Sequence, residues 1–183
     1  MSDGAESSTI CCVTYSIRAA SVDDADALGV VSVRAWQAAY RKVMPDEYLD
    51  NLEAIDRAEY WRRHLTAAPS DRHVRVIVID GDVVGFAAFG PAGVGGDDVG
   101  ELNAINLDPA VWGRGLGRAL LSQVTSELGA LGYLEAMLWV VPQNDRARAL
   151  YESGGWIADG TDRHQEVFGV TVPEMRYRRS LDE

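Results

Sequence analysis

The chain has 183 residues, 47% of them hydrophobic, and carries 28 Asp and Glu against 17 Lys and Arg for a net charge of −11. That length fits one α/β domain with a full core, and that composition excludes global disorder. The negative charge argues against binding nucleic acid or an anionic membrane, because phosphates are repelled, and no apolar run approaches the length of a membrane span.

Residues 1–10, MSDGAESSTI, lack the basic and apolar regions of a signal peptide and read as a disordered leader, with a single domain over 11–183. Cys11 and Cys12 are adjacent and are the only cysteines, so no disulfide framework is expected, which suits a reducing cytoplasm. VTYSIRAA, near 13–20, predicts a strand. Ser21 caps a helix with Asp23 and Asp24 in its first turn, and Ala27, Val30, Val31, Ala35 and Ala38 recur at helical spacing. Pro45 stops that helix or starts the next, PDEYLDNL is a short second helix, and Asp56 opens a third through DRAEYWRRHL.

HVRVIVID and VVGFAAF predict a hairpin turning at Asp80-Gly81-Asp82, followed by the flexible loop GPAGVGGDDVG. GELNAINLDP is a further strand. Its polar positions run 101, 103 and then 106, a break in alternation that points to a β-bulge near residues 104–106. Residues 113–131 predict a helix with Leu116, Leu120, Val124, Leu128 and Leu131 on one face, ended by Gly132. LEAMLWVV reads as a strand covered on both faces. A helix over roughly 144–152 ends at Gly154-Gly155, and WIADG and EMRYRRSL supply the last strands.

Gly113, Gly115 and Gly117 lie at a strand-to-helix junction. The first turn of a helix leaves backbone N–H groups without partners, and the helix dipole adds positive charge there. Bare glycines let a phosphate approach those groups, and Arg114 and Arg118 add charge-assisted bonds. Tight strand–helix packing would use the same glycines. A P-loop would end in Gly-Lys-Ser/Thr, which is absent. A dinucleotide fold would place a glycine at 118, where the chain has Arg118.

The stretch VWGRGLGRALL resembles the acetyl-CoA-binding motif of the GNAT superfamily of N-acetyltransferases, with Trp112 where the family usually carries Arg or Gln. VVPQNDRARALYESGGW is similar to a second family signature through Asn144, Ala147, Tyr151, Gly155 and Trp156, and AWQAAYRKVMPDEYLD is similar to the first-helix region. The likeness covers about residues 13–180. It implies a central mixed, mostly antiparallel β-sheet splayed at a β-bulge and flanked by helices. It also implies acetyl-CoA as cosubstrate, held at Trp112, Gly113, Arg114, Gly115, Leu116, Gly117 and Arg118, with Ile105, Asn106 and Leu107 offering backbone N–H groups to the pantetheine arm and acetyl carbonyl.

Acyl transfer from a thioester to an amine needs a neutral amine, a polarised carbonyl, donors for the oxyanion and a leaving thiolate. Asn144, Arg148 and Tyr151 share a helix face over about 10 Å. That face, Arg148 included, is long enough to follow an extended cofactor arm, and the resemblance implies a cofactor contact for Asn144 and protonation of, or a hydrogen bond to, the departing sulfur for Tyr151. Glu101 opens the bulged strand and is the first candidate base. A water chain, His164 and Glu166 are the others, because Trp139 stands where one branch of the family has its base. Trp36 and Tyr40 are i and i+4 on the first helix and form a candidate acceptor wall, with Tyr48 and the loop 90–100 as its rim. Aromatic core packing is the plainer reading of the same pair.

His64, His73 and His164 lack metal-ligand spacing, so no metal is expected. The function implied is direct acetyl transfer to an amine of a small molecule or peptide. The alternatives are a non-catalytic acyl-CoA sensor and a nucleotide-binding oxidoreductase. The acidic charge hints at a cationic acceptor, and the C-terminal strands are where a homodimer would form.

Overall fold

The computed structural model describes residues 7–10, 13–41, 43–67, 70–167 and 170–181; Cys11, Cys12 and residues 1–6 lie outside them. Eight strands form one sheet in the order β1-β2-β3-β4-β5-β6-β8-β7. The strands are β1 (Ser7–Ile10), β2 (Val13–Ala19), β3 (His73–Ile79), β4 (Asp82–Pro91), β5 (Val99–Leu107), β6 (Glu135–Val140), β7 (Ile157–Val167) and β8 (Val170–Ser180). The helices are α1 (Ala25–Ala39), α2 (Asp46–Asp50), α3 (Ala54–Ala67), α4 (Leu116–Ala130) and α5 (Asp145–Ser153). Every pairing is antiparallel except β5 with β6. Ser7–Ile10, expected inside the leader, pair with β2.

The helices cover both faces. On one, α1 and α3 pack Leu28, Val31 and Trp61 against Val74, Val76, Phe86 and Ala88. On the other, α4 packs Leu116, Leu120, Val124 and Leu128 against Ile77, Phe89, Leu102 and Leu138. Leu131, expected on that face, is half exposed. The buried side of α1 is Leu28, Val31, Ser32 and Ala35, whereas Val30 and Ala38 face outward. A polar residue enters this core because the Ser32 hydroxyl donates to the Leu28 carbonyl (2.7 Å) and accepts from Trp61 Nε1 (3.1 Å). Two short 3₁₀ turns, Val22–Asp24 and Pro109–Val111, precede α1 and the glycine stretch.

The start of α1 is fixed to the sheet by charge. Arg18 on β2 donates two bonds of 2.7 Å to Asp24, which also accepts from the Ser21 backbone at 2.7 Å. The Arg18 bond leads in holding the Asp24 carboxyl below its ordinary pKa, against the opposing effect of burial. A lowered folded-state pKa means the ionised form stabilises the fold above about pH 4, and that contribution is lost as pH falls through the folded value. Asp24→Asn is therefore expected to cost about 1–3 kcal/mol at pH 7. Urea titrations of the two proteins should converge on acidification; a pH-independent gap would sink this account.

Candidate active site

The site begins where the sheet stops being continuous. β5 and β6 pair only from Val99–Glu135 to Leu102–Leu138. Beyond that point β5 pairs only with β4, and β6 only with β8. The cause is a bulge: Ala88 faces Ala104 and Phe89 faces Leu102, so Asn103 is the extra residue. This lies one residue before the span expected from the polar spacing. It also explains that spacing. Leu102, Ile105 and Leu107 face the α4 core, whereas Ala104 and Asn106 face α1 and α3, so the inserted residue switches the polar positions from odd to even.

At the end of β5 the chain turns through Pro109–Val111 into the glycine stretch. Gly113 (φ 77°) and Gly115 (φ 82°) are left-handed, and α4 starts only at Leu116, three residues later than the sequence pattern suggests. A Cβ on Gly113 would meet nothing within 4 Å, so backbone conformation rather than tight packing requires glycine there. The backbone amides of Gly113, Arg114, Gly115, Leu116, Gly117 and Arg118 have no acceptor among the described residues. Such a run of free donors at a helix N-terminus fits a phosphate or pyrophosphate. Trp112 turns its indole N–H inward to the Leu107 carbonyl at 2.9 Å, and Arg146 lies 4.5 Å over its ring. Arg146, the second residue of α5, is thus a third arginine beside this turn. The sequence reading passed over it, since only folding brings α5 to Trp112.

On α5 the Asn144 side chain caps the helix by accepting from the Ala147 amide at 3.1 Å. Arg148, expected on a cofactor-facing stripe with Asn144 and Tyr151, instead reaches the Tyr177 hydroxyl (3.3 Å) and the Pro142 carbonyl (3.2 Å). Tyr151 is 6% exposed, and its hydroxyl makes no hydrogen bond among the described residues. Burial, with a smaller contribution from Tyr40, pushes that phenol well above its ordinary pKa, so it keeps its proton. Tyr151 packs with the α4-side core, whereas Tyr40 ends α1 on the other side of the sheet. Tyr151 thus senses Tyr40 from across the sheet. Burial raises Tyr40 as well, Asn144 hydrogen-bonds its hydroxyl and opposes that shift, and the Glu174 charge adds to it.

Glu101 lies on β5 in the stretch still paired with β6, opposite Met137. Burial raises its carboxyl pKa, opposed in turn by Arg163, the Gly93 amide, the Asn103 side chain and Arg72. A carboxylate raised in this way is a stronger base near neutrality. Trp139 holds Arg163 over its ring at 4.0 Å, and Arg163 also bonds Glu174 at 2.8 Å. His164 and Glu166, the other candidate bases, sit on exposed positions of β7, where Glu166 is bonded to Thr171. A cavity of about 310 Å³ opens between α1, α3, β4 and β5, with Asn103, Ala104 and Asn106 as its floor and Trp36 in its wall. Trp36 meets Tyr40 edge-on at 5.1 Å, so the expected aromatic pair divides between this cavity and the parted strands. Tyr48, expected at the rim, lies beside Arg57 at 3.4 Å. Among the described residues no His, Cys, Asp and Glu cluster could hold a metal ion.

The model of the acetyltransferase (GNAT) family matches residues 33–156. The Bacillus subtilis (strain 168) protein named uncharacterized N-acetyltransferase YuaI is 31% identical over 134 residues, covering 70% of this chain and 72% of that one. A mycothiol acetyltransferase of a Nocardioides species is 30% identical over 153 residues, 81% of this chain, and the match spans 52% of its own length. The crystal structure of PaiA N-acetyltransferase from Thermoplasma acidophilum in complex with coenzyme A superposes with a TM-score of 0.72 at 20% identity, covering 91% of this chain and 98% of that one. That likeness is one of fold.

Because burial raises Glu101 in the folded state, its ionised form is disfavoured there. Folding stability from this residue is full below the unfolded carboxyl pKa of about 4.3 and is lost as pH rises through the folded value. Glu101→Gln should therefore raise Tm at pH 7, and thermal melts should show the gain shrinking toward pH 4. An equal gain at both pH values would mean that burial does not tune this carboxyl.

Proposed function

Since the chain belongs to the acetyltransferase (GNAT) family, we propose that it moves an acetyl group from acetyl-CoA directly to the amine of a small molecule or peptide, with Glu101 as base and Tyr151 at the leaving sulfur. The observation that carries this reading is the parted β5–β6 edge beside a turn of six free amides. Unpaired strand-edge groups and a run of donors suit a long ligand with an amide-bearing arm and a pyrophosphate. Gly113, Arg114, Gly115, Leu116, Gly117 and Arg118 would hold the pyrophosphate, with Arg146 beside them. Ile105, Asn106 and Leu107 would meet the arm along the edge of β5, and Asn144 would close the other side. Arg148 keeps its internal partners and supports α5.

Bound acetyl-CoA supplies a thioester carbonyl. Glu101 takes a proton from the acceptor ammonium, so that the neutral nitrogen can form the N–C bond as the C–S bond breaks. The β5 amides are placed to stabilise charge on the carbonyl oxygen. Tyr151 keeps its proton, and transfer to a thiolate whose thiol has a pKa of about 8.5 would be uphill. Its hydroxyl therefore acts as a hydrogen-bond donor to the sulfur, which leaves as a thiolate and takes up the second proton that the nitrogen sheds as the amide forms, giving coenzyme A. No cysteine among the described residues offers a covalent route.

Thiol release from acetyl-CoA in the presence of amines tests the reading, and failure of any amine to stimulate it would leave only a binding module. Tyr151→Phe is expected to lower kcat about 10–100-fold, the worth of a hydrogen bond to a charged group, with acetyl-CoA affinity retained; unchanged turnover would remove Tyr151 from the chemistry. Gly115→Ala should weaken acetyl-CoA binding about tenfold or more in calorimetric titration, since a left-handed non-glycine residue costs about 1–2 kcal/mol and turns the amides away. Undiminished binding there would place the pyrophosphate elsewhere.

A further inference from the structure

The cavity floored by Asn103 and Asn106 has a charge pattern opposite to that of the whole molecule. Its ionisable lining is Arg57, Arg72, His64, His73 and Tyr60, with no carboxylate, in a chain of net charge −11. Arg57 is only 9% exposed, and its guanidinium lies 4.9 Å above the Trp36 ring. Burial pushes its pKa down, which is the signature of a cation held away from water. Arg72 makes no salt bridge among the described residues. His73 Nε2 is buried with no hydrogen-bond partner among the described residues, while its ring stacks on Phe89 at 5.4 Å. His64 is held below its ordinary pKa by burial and then by Arg72, so it feels the positive potential of the cavity.

Two guanidinium groups in a lining that holds no carboxylate describe a site for an anion. Resting on the transferase reading above, we propose that the acceptor is a small amine that also carries a carboxylate, an amino acid in the broad sense, bound with its carboxylate toward Arg72 and Arg57 and its amine toward Glu101. The planar guanidinium fork matches a carboxylate. The volume, about 310 Å³, lies at the low end for small-molecule pockets. Tyr60, Trp61 and Trp36 give the acceptor's apolar part an aromatic wall. Glu101 does not line the cavity but lies two residues before the lining Asn103 on β5, within the influence of Arg72, so an acceptor with its acidic end in the cavity can direct its amine toward Glu101. A zwitterion also meets no net repulsion from a strongly acidic protein, unlike a polyanion. The cationic acceptor suggested by net charge alone is replaced by this assignment, because the local field of a cavity is set by its lining.

The test is thiol release from acetyl-CoA with three matched sets of acceptors: the twenty α-amino acids, their carboxamides, and the amines lacking the carboxyl group. The free acids are expected to be turned over at least about tenfold better in kcat/KM than the other two sets. Arg72→Gln should reduce that preference by about tenfold, mainly through KM, and Arg72→Lys should restore part of it. Equal turnover of acids and amides, preference for the bare amines, or an acid preference untouched by Arg72→Gln would each overturn the proposal. So would a protein that turns over other amines and accepts none of the amino acids. Failure of the transferase reading is distinguishable, because it appears as no thiol release with any amine of the three sets. Titration of the same amino acids and amides into the protein alone then reads the anion subsite directly, with equal or absent binding of the acids refuting it.

Discussion

The site depends on β5 and β6 ceasing to pair after Leu102 and Leu138. A sheet in this protein has two faces buried by helices, so any unpaired strand edge inside it leaves polar backbone groups in need of partners. The single extra residue at Asn103 commits β5 to β4, while β6 continues along β8. The core under the opening does not part. Leu116, Leu120 and Val124 of α4 contact a cluster that includes Ala87 and Leu102 from one half of the sheet and Leu138 and Tyr177 from the other. The helix therefore ties the halves together, and its N-terminus with the free amides follows directly from the end of β5.

Around that opening, groups from distant parts of the chain acquire properties that none has alone. Tyr40 closes α1, Tyr151 lies on α5 and Glu174 on β8, yet Glu174 influences the ionisation of Tyr40, and Tyr40 that of Tyr151. Their shifts favour protonated phenols at the end of α1 and on α5, while burial makes Glu101 a better base on β5. A reaction that removes a proton from nitrogen and presents a hydrogen bond to sulfur needs that division of labour. Trp139, which cannot exchange a proton, works as a platform for Arg163, and so sets part of the charge that Glu101 experiences.

Net charge proved a poor guide to the local field. The chain is strongly acidic, but its acids are largely spread over exposed positions or tied in pairs such as Arg18–Asp24, Arg75–Glu127 and Arg176–Asp159. The cations that face cavities are selected by position. Arg114, Arg118 and Arg146 surround the glycine turn, and Arg57 and Arg72 enter the pocket between α1 and α3. Lost solvation at Arg57 makes that pocket more receptive to an anion than a sum over the surface implies.

The sequence by itself determined the order of strands and helices from residue 13 onward, the two-sided core and the glycine turn, because each is written in local periodicity, capping or the need for left-handed backbone; β1, inside the expected leader, was not legible. Even the bulge was legible to within a residue, since a parity switch in polar positions requires an insertion wherever one face is buried. Tertiary structure decided what local pattern does not encode. Seven residues on one helix put Asn144, Arg148 and Tyr151 on a common stripe, but Tyr177 and Pro142 occupied Arg148, while Trp112 engaged Arg146. His64 and His73 gave no ligand spacing in sequence and became cavity walls only when α3 crossed β3 and β4. Helix phase and strand register fix which side a residue faces; the partner it finds there, and hence its charge state and its use, depend on elements brought from elsewhere in the chain.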